Sequence, residues 1–322
     1  MKIFIEEKKF KEENLKRIVN EFKNVEITTN LEKSFDAEVI VVEPSFVKEE
    51  NISKFKNLKF IQSIRAGFDT VNFNIINERN IVFSNARDIY SLSIAEDVIG
   101  KILILNRNAK QFIKDMENKE WKPNFNAPEI YKSTVGIIGT GSIAKEIAKR
   151  IKAFDTTVLG YRRSFIQEEY FDKIYAGDAG LDEVLKLSDY VILTVPLNEG
   201  TRGMINKEKL NLMKNDALLV NIARGEVVVQ EDLITALEEK SIRGAALDVF
   251  TPEPLPKDSP LWSMENVFMT PHCSAASYHI NSRLTDLIIE NLRRYLNKEE
   301  LLHKVNWFYL NKRECLVNAK IL

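Results

Sequence analysis

Residues 134–151 read TVGIIGTGSIAKEIAKRI and combine a short apolar run, a glycine-rich turn and a helical repeat. The run at 134–138 is mostly β-branched and apolar, as expected of a strand that is buried on both faces. After the turn, Ile143, Ile147 and Ile151 recur at helical spacing and share one helix face. This stretch therefore predicts a strand, a tight turn and a helix, the opening unit of a doubly wound α/β sheet.

The turn itself carries the pattern Gly139-x-Gly141-x-x-Ala144. In such turns the first glycine permits the tight bend, the second lets the backbone approach a pyrophosphate, and a small third residue allows close packing of helix on strand. The backbone N–H groups of Ser142 and Ile143 open the helix and favour a bound anion. Because the strand and helix around the turn are both present, we interpret it as dinucleotide-binding and not as an ordinary glycine turn.

The same strand–helix alternation extends through most of the chain. Short apolar runs at 2–6, 37–43 and 59–64 precede the glycine-rich stretch, and further strands and helices alternate after residue 134. A length of 322 residues is about that of two typical domains. The fold predicted is α/β, with two doubly wound parallel-sheet domains. The candidate strands of the second half are TVGII, TTVLGY, YVILTV, ALLVNIA, GAALDVF and NVFMT.

Between these halves, a long helix is predicted to begin near Ser91. Ser93 and Glu96 have the spacing of a capping box at its start. The stretch 117–133 lacks periodicity and contains two prolines, so it is predicted to be a connecting arm.

Composition excludes several classes of protein. Hydrophobic residues make up 44% of the chain, which rules out a disordered polymer, and a formal charge of −1 makes a nucleic-acid surface improbable. No apolar run approaches the roughly 18 residues that span a bilayer, and no signal peptide is recognisable, so no membrane partner is expected. Two cysteines, Cys273 and Cys315, fit a reducing compartment, and the cytoplasm is the expected location.

The residues after the second strand of this unit bear on the choice of nucleotide. Enzymes that use NAD usually place an acid there to hold the ribose hydroxyls. This chain has Tyr161-Arg162-Arg163-Ser164 instead, and guanidinium groups match a 2′-phosphate in charge and geometry. We therefore expect Arg162 and Arg163 to favour NADP, with NAD possible. The alternative is a solvated basic turn.

Three polar residues follow three separate predicted strands. Arg224 follows ALLVNIA, Glu253 follows GAALDVF, and His272 follows NVFMT. Ligands of open α/β sheets bind beyond the carboxyl ends of the strands, so these side chains can converge on one crevice. An arginine fork can hold a carboxylate, and a histidine beside a carboxylate can donate a proton near neutral pH.

The motifs NIARGEVV (221–228), ALDVFTPEPLP (246–256) and MTPH (269–272), after GTGSIA (139–144), resemble the D-isomer-specific 2-hydroxyacid dehydrogenase family. RAGFD (65–69) and SIAE (93–96) are similar to its amino-terminal domain, so the resemblance covers essentially the whole chain. PEPLPKDSPLW (252–262) looks like the glyoxylate/hydroxypyruvate reductase branch.

The resemblance implies a catalytic role for each of the three residues at the strand ends. His272 would be the acid/base, Glu253 its partner, and Arg224 the group that holds a small 2-keto acid. The turn at Ala66–Gly67 would bind the substrate carboxylate through its backbone N–H groups. Arg65 is either a second anion contact or a surface cation.

Further cofactor contacts are also implied by the resemblance. Pro196 and Thr201 match a loop along the adenosine ribose, Ala223 precedes the substrate arginine, and Asp248 matches a residue on the nicotinamide side. Each has an alternative explanation: Asp248 can be an acid that ends a strand, and Pro196 and Thr201 can end a strand and start a helix. No metal is expected, although His272, Cys273 and His279 lie close together in sequence. His279 and His303 are expected on the surface.

At the domain level the resemblance implies a flavodoxin-like substrate-binding lid, residues 1–98 completed by 284–322, and a Rossmann domain, residues 99–283. It also implies a homodimer. Two other functions stay open: D-3-phosphoglycerate dehydrogenase, and a nucleotide-sensing interaction protein like the corepressors that share this fold.

Overall fold

A computed structural model of the protein describes residues 1–7 and 10–305. Within these residues the backbone forms two compact units, 1–89 with 277–305, and Tyr90–Ala276. The boundaries expected from the sequence, at 98/99 and 283/284, remain predictions. Residues 306–322 of the expected lid segment, Cys315 among them, lie outside the described chain.

The first unit is built on a five-stranded parallel sheet with the order β2-β1-β3-β4-β5. This is the flavodoxin-like order, in which the chain reverses its winding direction beside the first strand. Phe55, fully buried, packs against the rings of Phe4, Phe35 and Phe46 beside this sheet. Its elements are β1 (Lys2–Ile5), α1 (Glu12–Glu21), β2 (Glu26–Thr28), β3 (Val39–Val42), α2 (Glu49–Ile52), β4 (Phe60–Ser63), α3 (Phe73–Glu78) and β5 (Val82–Ser84).

The second unit contains a seven-stranded parallel sheet with the order β12-β11-β10-β9-β6-β7-β8. It opens with helices α4 (Ser91–Asn106) and α5 (Ala109–Glu117). The elements that follow are β6 (Thr134–Ile138), α6 (Ser142–Ile151), β7 (Thr157–Arg162), β8 (Lys173–Ala176), α7 (Gly177–Leu187), β9 (Tyr190–Leu193), α8 (Lys207–Leu210), β10 (Leu218–Asn221), α9 (Gln230–Glu238), β11 (Gly244–Leu247) and β12 (Val267–Met269). Helix α10 (Ile280–Asn297) then belongs to the first unit.

These two sheets confirm the predicted fold of two parallel-sheet α/β domains. In the second sheet β6 lies between β7 and β9, so the winding direction reverses at β6. Ligands of open α/β sheets bind at such a switch point, beyond the carboxyl ends of the strands. The glycine turn begins at that end of β6.

Two details of the sequence analysis are changed by the structure. The capping box is wrong: α4 begins after Tyr90 without a side-chain cap, and the Ser93 hydroxyl donates to the carbonyls of Tyr90 and Ala275. A separate helix, α5, precedes the arm because Asn108 takes a left-handed conformation (φ 54°) that ends α4. Residues 120–130 contain neither helix nor strand, as the predicted arm requires.

Across residues 1–7 and 10–305, none of the helices combines the length and apolarity needed to cross a membrane.

Candidate active site

The glycine turn joins β6 to α6 in a conformation that requires glycine at its first position. Gly139 has φ 101°, where side chains are strongly disfavoured, and a Cβ atom there would lie 2.7 Å from the Thr194 hydroxyl oxygen. Its N–H donates to the Tyr161 carbonyl of β7 over 2.8 Å. Ala144 is fully buried, which is the close packing that a small residue permits. The turn thus holds the start of α6 at the switch point.

The second glycine leaves room for a ligand. A Cβ atom on Gly141 would meet no protein atom within 4 Å, so this position of the backbone faces open space. Gly141 is the N-cap of α6, and the first N–H groups of a helix, here those of Ser142 and Ile143, have no acceptor within the helix. An open approach to the positive end of a helix fits the pyrophosphate of a dinucleotide.

At the end of β7, Arg162 is joined by two charged residues that the sequence analysis did not identify. Its Nη1 lies 2.8 Å from Oε1 of Glu168, and the other oxygen of that carboxylate lies 2.5 Å from Lys145 Nζ of α6. The hydrogen bond from Lys145 is the main cause that lowers the pKa of Glu168, so this residue is anionic near neutral pH. Arg163 is exposed beside Gly200.

The loop after β9 is held together by Thr201. Its hydroxyl donates to the Pro196 carbonyl over 2.7 Å and accepts from the Asn198 N–H over 2.9 Å. The structure therefore assigns Thr201 a role in shaping this loop, and a contact of Pro196 or Thr201 with the nucleotide remains a prediction.

Arg224 is placed by a close approach of two loops beyond the sheet. The next residue, Gly225, must be glycine because a Cβ atom there would lie 2.0 Å from the Phe250 carbonyl oxygen. Arg224 Nη1 donates to the carbonyl of Ala223 over 2.7 Å, and the Asn221 side chain supports the turn through the Arg224 carbonyl. The guanidinium is thus positioned at the carboxyl end of β10.

His272 and Glu253 are in direct contact. His272 Nδ1 lies 2.8 Å from Glu253 Oε2, and Glu253 Oε1 accepts the N–H of Phe250 over 3.0 Å. Both carboxylate oxygens are therefore engaged, and the imidazole is held by its Nδ1 side. About half of the His272 side chain is exposed (49%), so its other face can receive a ligand.

Asp248 holds the backbone at this histidine and directly after it. His272 has φ 49°, a conformation that residues other than glycine rarely adopt, and its N–H donates to the Asp248 carbonyl over 2.8 Å. The buried Asp248 carboxylate accepts the N–H groups of Cys273 and Ser274 over 2.9 and 3.0 Å. The hydroxyl of Ser274 in turn accepts a hydrogen bond from Lys101 of α4, a lysine that is only 1% exposed and is paired with Asp97.

In the first unit, the Arg65 side chain is bound to an acid of its own unit. Its Nε and Nη2 lie 3.2 and 3.0 Å from Glu43 Oε1, in a charge-assisted pair. The turn that follows is fixed by Asn85, whose amide donates to the Ala66 carbonyl over 2.7 Å. Binding of substrate by Arg65, Ala66 or Gly67 remains a prediction, and any anion that Arg65 bound would share it with Glu43.

The chain's similarity to known proteins agrees with this geometry. Residues 99–274 match the profile of the D-isomer specific 2-hydroxyacid dehydrogenase, NAD binding domain. The chain belongs to the D-isomer-specific 2-hydroxyacid dehydrogenase family. Among relatives in this family, the glyoxylate reductase of Pyrococcus furiosus is 35% identical over 271 residues, which are 81% of this chain and 80% of that protein.

A second relative in the family is longer than this chain. The D-3-phosphoglycerate dehydrogenase of Methanocaldococcus jannaschii is 35% identical over 304 residues, or 90% of this chain. The match covers 57% of that relative, so the chain spans little more than half of its length.

Solved structures of two reductases share the fold over nearly the whole chain. An acyclic imino acid reductase in complex with NADPH and D-Arg has a TM-score of 0.81 at 26% identity, covering 95% of this chain and all of that chain. An NADPH-dependent glyoxylate/hydroxypyruvate reductase from Sinorhizobium meliloti, in complex with NADP and sulfate, has a TM-score of 0.76 at 25% identity, covering 95% and 98%.

Together these similarities confirm three predictions: the dehydrogenase family with its glyoxylate-reductase-like branch, the parallel-sheet fold, and a nicotinamide-dependent dehydrogenase that acts on CH–OH groups of small molecules. Within residues 1–7 and 10–305, no group of three or more His, Cys, Asp or Glu side chains is arranged to hold a metal ion.

The hydrogen bonds of Asp248 lead to a prediction for this dehydrogenase. Asp248→Asn replaces one of the two acceptor oxygens with an amino group, so the side chain no longer offers an acceptor at both positions to which the N–H groups of Cys273 and Ser274 donate. We expect turnover to fall about tenfold or more, equivalent to about 1.4 kcal/mol, with the nucleotide Kd nearly unchanged. Steady-state kinetics and nucleotide titration measure both quantities. Asp258→Asn, at an exposed site in the loop before β12, is the control. A raised nucleotide Kd with normal turnover would instead assign Asp248 to cofactor binding.

Proposed function

We propose that this chain is an NADPH-dependent reductase of a small 2-keto acid of the glyoxylate or hydroxypyruvate class. The observation that carries the proposal is the 2.8 Å pair of His272 and Glu253 at the carboxyl side of the nucleotide-binding sheet. The similarity to the Pyrococcus furiosus glyoxylate reductase supports the substrate class.

The proposed roles follow from which atoms are already engaged. A bound reduced nicotinamide supplies a hydride to the carbonyl carbon of the substrate. Because Nδ1 of His272 is bonded to Glu253, Nε2 is the nitrogen that can give a proton to the carbonyl oxygen as negative charge develops there. The Glu253 carboxylate, fixed by the Phe250 N–H, holds the ring in place through its bond to Nδ1.

Arg224 is proposed to hold the substrate. Its planar fork can donate two parallel hydrogen bonds to the carboxylate of a keto acid and polarise the neighbouring carbonyl. We propose that the backbone N–H groups of Ala66 and Gly67 also bind the substrate carboxylate, as the family resemblance implies.

We also propose that NADPH is the preferred nucleotide and that NADH is used less efficiently. The proposal is supported by Arg162 and Arg163 at the end of β7, where an acid would select NAD. Two charge-assisted contacts to phosphate, at about 1.5–3 kcal/mol each, allow a preference of about tenfold or more.

We expect kcat/KM to be higher with NADPH than with NADH, and the ratio to shrink as ionic strength rises. Arg162→Asp is expected to reverse it. Equal efficiencies in the native protein would contradict the proposal.

The substrate proposal is tested by following NADPH consumption with glyoxylate and with hydroxypyruvate. Oxidation of 3-phosphoglycerate is the matching assay for the second candidate, which the Methanocaldococcus jannaschii relative favours. Higher kcat/KM for 3-phosphoglycerate than for both keto acids would select that candidate. Tight nucleotide binding without turnover of any of them would favour a nucleotide-sensing interaction protein.

We further propose that the enzyme is a homodimer in the cytoplasm, without nucleic-acid or membrane partners. The dimer is supported by exposed apolar side chains on α5 and the arm, among them Met116, Trp121 and Phe125, and sizing chromatography measures it directly.

The proposed location is supported by the low cysteine content, and the proposed lack of macromolecular partners by the near-zero net charge.

A further inference from the structure

Arg162, one of the two cations expected to receive a 2′-phosphate, already has an anionic partner within the protein. Glu168 presents one carboxylate oxygen to Arg162 and the other to Lys145, at 2.8 and 2.5 Å. The acid is the most enclosed of the three, with 18% of its side chain exposed, against 24% for Arg162 and 44% for Lys145.

The position of this cluster relates it to the nucleotide. Arg162 is the last residue of β7, at the site where dinucleotide-binding sheets contact the adenosine ribose. Lys145 lies in the first turn of α6, directly after the glycine turn that fits the pyrophosphate. Glu168 enters from the loop after β7 and bridges the two. Its carboxylate therefore lies at the ribose side of the nucleotide site, and its charge persists near neutral pH because Lys145 lowers its pKa.

A carboxylate in that place has opposite effects on the two nucleotides. A 2′-phosphate carries up to two negative charges and needs the same cations, so it must displace the carboxylate or bind beside it against charge repulsion. A ribose with a free 2′-hydroxyl instead offers a hydrogen-bond donor that a carboxylate can accept. The residue thus supplies, from a different position in sequence, the acid that β7 itself lacks.

We propose that Glu168 is the specificity-determining residue of the nucleotide site: an internal anion that competes with the 2′-phosphate for Arg162 and Lys145 and limits the preference for NADPH. The inference rests on the proposed function, since it assumes that NADPH binds with its 2′-phosphate near Arg162. It adds that the preference is set by an exchange of anions and not by the arginines alone.

The test compares Glu168→Gln with Glu169→Gln. Both variants remove one negative charge from adjacent positions, but Glu169 is exposed and interacts with Tyr170 outside the cluster. Dissociation constants for NADPH and NADH are measured by fluorescence titration without substrate, and that for adenosine 2′-monophosphate by calorimetry. We expect Glu168→Gln to lower the dissociation constants of NADPH and adenosine 2′-monophosphate about threefold to tenfold. The dissociation constant of NADH should be unchanged or higher. Glu169→Gln is expected to leave the ratio of NADPH to NADH affinity unchanged.

Lys145→Met gives a second measurement that does not depend on the Glu168 variant folding well. Removing this cation should weaken the binding of NADPH and of adenosine 2′-monophosphate severalfold and leave the affinity for NADH nearly unchanged. Native affinity for NADPH in this variant would overturn the role of Lys145 in the exchange.

The failures of the two proposals are distinguishable. If the native protein prefers NADPH and Glu168→Gln leaves the affinity ratio unchanged or lowers it, the competition is refuted and the proposed function stands. If the native protein binds both nucleotides equally and Arg162→Asp has no effect, the NADPH preference itself fails, and the inference fails with it.

Discussion

His272→Ala is expected to lower turnover by roughly 10²–10⁴-fold, the range that general acid catalysis usually contributes. The loss arises because the proposed proton donor, Nε2, disappears, so the developing oxyanion of the substrate must be neutralised by water. The nucleotide Kd should stay nearly native, since the imidazole is proposed to act on the keto acid and not on the nucleotide. Steady-state kinetics with glyoxylate and a fluorescence titration with NADPH measure the two quantities.

Two variants make this result specific to the histidine–glutamate pair. His279→Ala removes an exposed histidine a few residues further along the chain and should be silent. Glu253→Gln keeps the size of the side chain but removes the charge that faces Nδ1, and is expected to lower turnover less than His272→Ala does, with partial recovery in Glu253→Asp. Near-native turnover in His272→Ala would remove this residue from the proposed mechanism.

The parts of the site that the sequence made predictable are those fixed by backbone geometry. Gly139 and Gly141 could be interpreted because a strand and an amphipathic helix flank them, and that local context dictates where the turn lies. Arg224, Glu253 and His272 could be grouped because parallel strands end on one edge of a sheet. Each of these inferences needs only the chain direction and the alternation of elements.

Elements with weak patterns were missed for a physical reason. Strand β8, Lys173–Ala176, lies at the edge of its sheet and buries only one residue fully, so it lacks the apolar run that marks the central strands. Helix α5 is separated from α4 by only two residues, and the break at Asn108 depends on a left-handed backbone conformation that asparagine tolerates but does not require. Ser93 is an example of the opposite error, a predicted feature that the structure lacks: the spacing of a capping box is present, but the helix does not start there.

The partners of the charged side chains also could not be predicted from the sequence. Arg162 and Glu168 are six residues apart across a loop, and Arg65 and Glu43 lie on separate strand ends, so only the folded backbone brings them together. Asp248 was expected either to face the nicotinamide or to be an acid that ends a strand. In the structure its carboxylate accepts hydrogen bonds from the loop that carries His272. Tertiary packing, and not local pattern, decides such pairings.

Arg224→Lys is expected to lower kcat/KM for the keto acid by about 10²–10³-fold, the loss typical of removing a donor that stabilises a developing oxyanion. The lysine keeps the positive charge, so long-range attraction of the substrate is retained. It cannot form two parallel hydrogen bonds to a carboxylate while also polarising the carbonyl, because an ammonium is a point charge on a flexible chain. Both kcat and the KM for the keto acid should therefore change, and the NADPH Kd should not.

The control for this variant is Arg202→Lys, at an exposed arginine whose nearest acid, Glu226, is 3.9 Å away, and it should be kinetically silent. Arg224→Ala offers an independent measurement, since added guanidinium ion should restore part of its turnover and methylammonium should not. That difference would trace the effect to the planar fork, because both ions carry the same charge. Native kinetics in Arg224→Lys, or equal rescue by the two cations, would mean that the bidentate geometry is not what binds the substrate.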